Sequence, residues 1–149
     1  MPNWCMNIVK ITGPIDKISK LKEAAHKDEL LHFLVPMVKD DTDWYHKNIN
    51  AWGTKWDVSS PEIIEHSDTE ITINFDTAWS PPDQAFSTWA EDNTDCTIVG
   101  KYFEPGMAFA GYFDWDGECF DEEHLSEDDP EYKDFILEEF GWEDEEDEE

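Results

Sequence analysis

The sequence predicts an α+β domain built on a split β-α-β sheet with helices packed on one face, plus an acidic C-terminal helix and a disordered tail. Three observations predict it. Short alternating segments rich in β-branched residues are separated by stretches whose apolar residues recur at helical spacing. Two β-α-β-like halves follow one another, with extra strands added. Of the 149 residues, 39% are hydrophobic, including 8 Trp and 9 Phe, which is enough apolar side chain for a core in a single domain.

Residues 4–12 alternate, with Met6 and Ile8 toward one face and Val9 and Ile11 toward the other, and predict a strand buried on both sides. Gly13-Pro14 breaks it, and Pro14 suits the start of a helix carrying Ile15, Ile18, Leu21 and Ala25 on one face. The apolar run at 30–35, ending at Pro36, predicts a second strand. Residues 36–60 are irregular and rich in aromatic and turn-forming side chains. Strands are expected at 62–66 and 70–75, joined as a hairpin by Ser67-Asp68-Thr69. A helix at 82–92 follows, with Ala85, Phe86 and Trp89 inward, and then a strand pair at 94–103 and 107–115. A terminal helix over 130–140 carries an apolar stripe of Tyr132, Phe135, Ile136 and Phe140. The all-acidic run at 143–149 is expected to be disordered.

Charge divides the chain. Residues 114–149 hold 20 acids and one base, Lys133, whereas residues 1–113 hold 18 acids and nine lysines. The expected organisation is therefore a domain over 1–113 and an acidic extension over 114–149. The formal net charge of −28 opposes nucleic-acid backbones and anionic membrane surfaces, and the absence of arginine removes bidentate phosphate recognition. Neither direct nucleic-acid binding nor a membrane role is expected. Cys5, Cys96 and Cys119 are odd in number and widely spaced, which points to a reducing compartment, the cytoplasm of a host cell. The N-terminus lacks a signal-peptide pattern, and no apolar run reaches membrane-spanning length.

Four segments depart from generic composition: Pro2-Asn3-Trp4-Cys5-Met6-Asn7, then Trp52-Gly53-Thr54-Lys55-Trp56-Asp57, then residues 75–82 (FDTAWSPP), then residues 102–111 (YFEPGMAFAG). Their kind and order resemble the Api92-like family, also called the YubB ferredoxin-like proteins of phages and plasmids, over residues 1 to about 112. The resemblance implies a ferredoxin-like fold and a mobile-element origin, and it brings no activity with it. Ala51 stands where that family often carries Asn.

No catalytic constellation, metal site or cofactor motif is present in the pattern. The five histidines share no ligand spacing with one another or with the cysteines, and the fragment Asp114-Trp115-Asp116-Gly117-Glu118 lacks the spacing of a calcium loop. Two working surfaces are expected. The first is an acidic one for a basic host or phage protein, in its sharper form an imitation of nucleic acid, with Asp128, Asp129, Glu131, Asp134, Glu138 and Glu139 opposite the apolar stripe of the last helix. The alternative is a ligand pocket, or the site of a minor enzyme, built from Trp52, Lys55, Trp56, Asp57, Trp79 and Glu104, because aromatic rings with one cation and one carboxylate are ingredients of a small-ligand site.

Overall fold

A computed structural model describes residues 3–37 and 43–142 of the chain. The elements run β1 (Trp4–Thr12), α1 (Ile15–His26), α2 (Leu30–Leu34), α3 (Trp44–Trp52), β2 (Glu62–Ser67), β3 (Glu70–Ala78), α4 (Asp83–Glu91), β4 (Thr97–Glu104), β5 (Phe109–Trp115), β6 (Phe120–Ser126) and α5 (Tyr132–Phe140). The six strands form one sheet in the order β2-β3-β1-β4-β5-β6, and every neighbouring pair is antiparallel. β1 lies between β3 and β4, so β1-α1-β2 and β3-α4-β4 are the two interleaved split units of a ferredoxin-like sheet. β5 and β6 widen it by two strands.

The alternation in the sequence sets the two faces. Val9 and Ile11 of β1, Ile71 and Ile73 of β3, Ile98 of β4 and Phe113 of β5 are fully buried in one cluster, with Leu21 of α1, Leu30 of α2 and Phe86 of α4. Close approach between strands is provided by glycine: a Cβ on Gly100 would fall 2.3 Å from the Phe113 ring, its cross-strand partner. On the other face a smaller cluster joins Phe103, Ala110 and Leu125 to Tyr132 and Ile136 of α5. Four helices thus pack on one face and α5 on the other.

The run at 30–35 forms a helix, not the expected strand. Five apolar residues are too few to show a period, and the deciding group is distant: Asp57 accepts the Leu31 and His32 N–H groups at 2.8 and 3.0 Å, capping the helix start. The second strand of the split unit is instead β2. Residues 44–52, within the stretch read as irregular, form α3, which ends in left-handed Gly53 (φ 88°).

The expected boundary at 113/114 falls inside β5, and β6, which the sequence did not signal, pairs along its whole length with β5. Together with α5 it makes the front of the acidic segment part of the sheet. The expected disorder at 143–149 lies outside the described residues. Among the described residues no helix is long and apolar enough to cross a membrane.

Candidate functional site

The four unusual segments meet at one end of the sheet. Trp79, in the left-handed region at φ 70°, donates its N–H to the Asn3 carbonyl at 2.8 Å. The Thr54 hydroxyl donates to the Ala78 carbonyl at 2.8 Å, and the Ser80 hydroxyl to the Gly53 carbonyl. Buried Asn7 donates to the Thr77 hydroxyl at 2.9 Å. Glu104, buried at the end of β4, accepts the N–H groups of Gly106 and Met107, both at 2.7 Å, and fixes the turn into β5 beside Asn3. Much of the distinctive sequence therefore satisfies backbone groups where loops cross the sheet end.

The six residues expected to form one pocket are distributed differently. Trp52 is buried and donates its ring N–H to the Val35 carbonyl at 2.9 Å. Asp57 serves as the α2 cap, and its carboxyl is pushed upward because burial outweighs the backbone N–H groups it accepts. Trp79 is exposed, and both Glu104 oxygens are occupied by the turn. Lys55 pairs with neither Asp57 nor Glu104; its ammonium lies 4.6 Å from the Trp56 ring centre and 5.8 Å from that of Tyr45. Trp56 faces Trp4 across 6.3 Å at 54°. These two rings, with Asp57, Ser59 and Asp76, line a cleft of about 350 Å³. Trp4 belongs to the site and was not anticipated. Its position on the open face of β1, two places before Met6, is the available signal.

The acidic surface is built on ordered backbone. Residues 120–140 contain ten acids and one lysine, carried by β6, α5 and the turn between them. Of the six expected residues, Asp128, Glu131, Asp134 and Glu138 are exposed. Asp129 instead closes the turn by accepting the Ser126 N–H at 2.8 Å, and Glu139 pairs with Lys101. Two acids outside that set join the surface: Asp121 and Glu123 are exposed on the α5 side of β6, whereas exposed Glu122 faces the other side of the sheet. Tyr112 donates its hydroxyl to Glu123. Glu122 points toward the start of α4, where desolvation and a hydrogen bond with Asp83 push its carboxyl up to about 8.

Burial pushes the Cys5 thiol well up and Cys96 up to about 11, which suits neither as a nucleophile. The fragment Asp114-Trp115-Asp116-Gly117-Glu118 leaves β5 into a turn, in which Asp116 accepts the Glu118 and Cys119 N–H groups at 2.8 Å. Among the described residues no group of three or more His, Cys, Asp or Glu is placed to hold a metal ion.

Residues 51–149 match a family model described as the ferredoxin-like domain in Api92-like protein. The match runs past residue 112, where the sequence motifs stop, and takes in β6 and α5. The crystal structure of a protein api92 from Yersinia pseudotuberculosis superposes with a TM-score of 0.58 at 10% identity, covering 85% of this chain and 99% of that one. At that identity the likeness is one of fold. A comparison with curated proteins gives no match.

Proposed function

This chain belongs to the Api92-like family, and on that premise we propose that it is a non-catalytic interaction protein whose β6–α5 surface receives a basic host or phage protein. The observation that carries the reading is that the exposed carboxylates Asp121, Glu123, Asp128, Glu131, Asp134 and Glu138 sit on a strand, a helix and a hydrogen-bonded turn, and not on a tail. Fixed carboxylates keep their spacing when a partner arrives and lose little freedom on binding. Opposite charge steers encounter and selects a cationic partner.

The sharper form of the reading is imitation of nucleic acid. Asp134 and Glu138 stand one turn apart, roughly 6 Å along the α5 axis. Asp121 and Glu123 share one face of β6 at roughly 6.6 Å. Such spacing places a charge at about every second phosphate position of a strand that carries one charge per about 3.4 Å of axis. The reading places the protein in the cytoplasm of the host cell. The free cysteines Cys5, Cys96 and Cys119 support a reducing compartment.

The test uses the full chain against an immobilised lysine-rich DNA-binding protein, with duplex DNA as competitor. Binding should weaken at least tenfold between about 50 and 200 mM salt, and duplex DNA should displace the chain. Absence of binding at the lower salt concentration overturns the reading. Binding that DNA leaves untouched retains an acidic partner surface and removes the imitation.

A further inference from the structure

The second surface with chemistry of its own is the cleft between Trp4 and Trp56. β1 and β3 pair with Trp4 opposite Ala78, so Asp76 lies two positions along β3 on the same face as Trp4. Trp56 comes from the loop after α3 and closes the other side. Both rings are exposed. Asp76 is exposed at the cleft, has no hydrogen-bond or ion-pair partner among the described residues, and is raised by desolvation alone. Ser59 adds a hydroxyl. A second cleft, of about 340 Å³, continues from the same Ser59 and Asp76 along Ile8 and Asn74 to Phe140.

The chain itself shows what these rings accept. In a molecule with 38 acidic side chains, Lys55 forms no ion pair among the described residues and lies over the Trp56 and Tyr45 rings instead. An indole face attracts an ammonium through its quadrupole, and two tilted indoles with a carboxylate beside them form a partial aromatic cage. A phosphate or carboxylate ligand would meet Asp57, Asp76 and the overall charge of −28, which excludes anions.

We propose that the Trp4–Trp56 cleft binds an organic ammonium group, with the two indoles as its walls and Asp76 as its counter-ion. The ammonium can belong to a free alkylamine or to a lysine side chain of a protein. The site is distinct from the exposed carboxylates of β6 and α5, with β4 and β5 lying between β1 and β6 in the sheet; α5 reaches the adjoining cleft only through Phe140.

The test follows the Trp4 and Trp56 indole N–H signals of the full ¹⁵N-labelled chain, assigned with Trp4→Phe and Trp56→Phe, at constant ionic strength. Three probes are titrated: n-butylammonium, uncharged 1-butanol, and a blocked Gly-Lys-Gly peptide. Both signals should move saturably with n-butylammonium and stay in place with butanol. Asp76→Asn, an exposed isosteric change, should weaken the amine about fivefold, and Lys55→Gln should tighten it by removing a nearby like charge. A peptide bound tenfold more tightly than the amine assigns the ammonium to a protein side chain, and equal affinity assigns it to a free amine. Equal response to butanol, or undiminished binding in Asp76→Asn, overturns the proposal, as does the absence of saturable shifts at these two indoles. Neutralising Asp128, Glu131, Asp134 and Glu138 should leave amine binding intact, so failure here and failure of the acidic-surface reading are told apart.

Discussion

On one face of the sheet Val9, Ile11, Ile73, Ile98 and Phe113 lie inaccessible beneath α1, α2 and α4. On the other, α5 covers the strands around Phe103 and Leu125, while Trp4, Ile64 and Val99 stay exposed. The first face accounts for stability: its residues are apolar, large and interlocked. The second carries the charged and aromatic groups that can meet another molecule. The difference teaches that in this fold the covered face explains why the chain folds and the open face is where its function is to be sought.

The comparison breaks most visibly if the covered face proves dispensable. Phe86 is fully buried and stacks on Phe113 with ring centres 5.7 Å apart, so Phe86→Ala should cost about 3–5 kcal/mol in urea unfolding. A loss below about 1 kcal/mol would show that this face is not the main core. On the other face Ile136, with Tyr132, anchors α5. Ile136→Ala should cost about 2–3 kcal/mol. It should also speed amide exchange in α5 well ahead of exchange in β1. Equal acceleration in both would mean that the two faces unfold as one unit.

The smallest effect sharpens the comparison at the sheet edge. Glu122 keeps its proton in the folded chain up to about pH 8, whereas its ordinary value is 4.5, so the folded state binds the extra proton between those limits. Stability from this group is therefore fullest below about pH 4.5 and falls as pH rises through about 8. Glu122→Gln should flatten that part of the pH profile, measured as thermal midpoint against pH, and leave the variant the more stable form above pH 8. An unchanged profile would remove Asp83 and desolvation as the cause.

How much was legible follows from the range of the determining contacts. β1, α1, the β2–β3 hairpin and α4 were readable because their periodicity lies within their own residues. The helix at Leu30–Leu34 was misread because its cap, Asp57, comes from 26 residues beyond Leu31. β6 escaped because its apolar residues, Phe120 and Leu125, point to opposite faces and five polar or charged residues fill the rest, as suits a guarded edge strand. The acidic surface was legible in position because composition shifts at residue 114. The pairing of Glu139 with Lys101, 38 residues away, is not signalled in the sequence. The Trp4–Trp56 cleft was legible only in halves. The two unusual segments were recognised, but their meeting depends on the register of β1 against β3 and the path of the loop after α3.

The most direct test of the acidic-surface account compares two sets of four neutralisations with identical net charge. One set is Asp128→Asn, Glu131→Gln, Asp134→Asn and Glu138→Gln; the other is Asp16→Asn, Asp68→Asn, Glu91→Gln and Asp92→Asn, all exposed and outside β6 and α5. Affinity for the immobilised lysine-rich protein is measured at one salt concentration. The account predicts at least a tenfold loss for the first set and less than twofold for the second. Equal losses would show that net charge alone attracts basic proteins, and that β6 and α5 hold no binding surface.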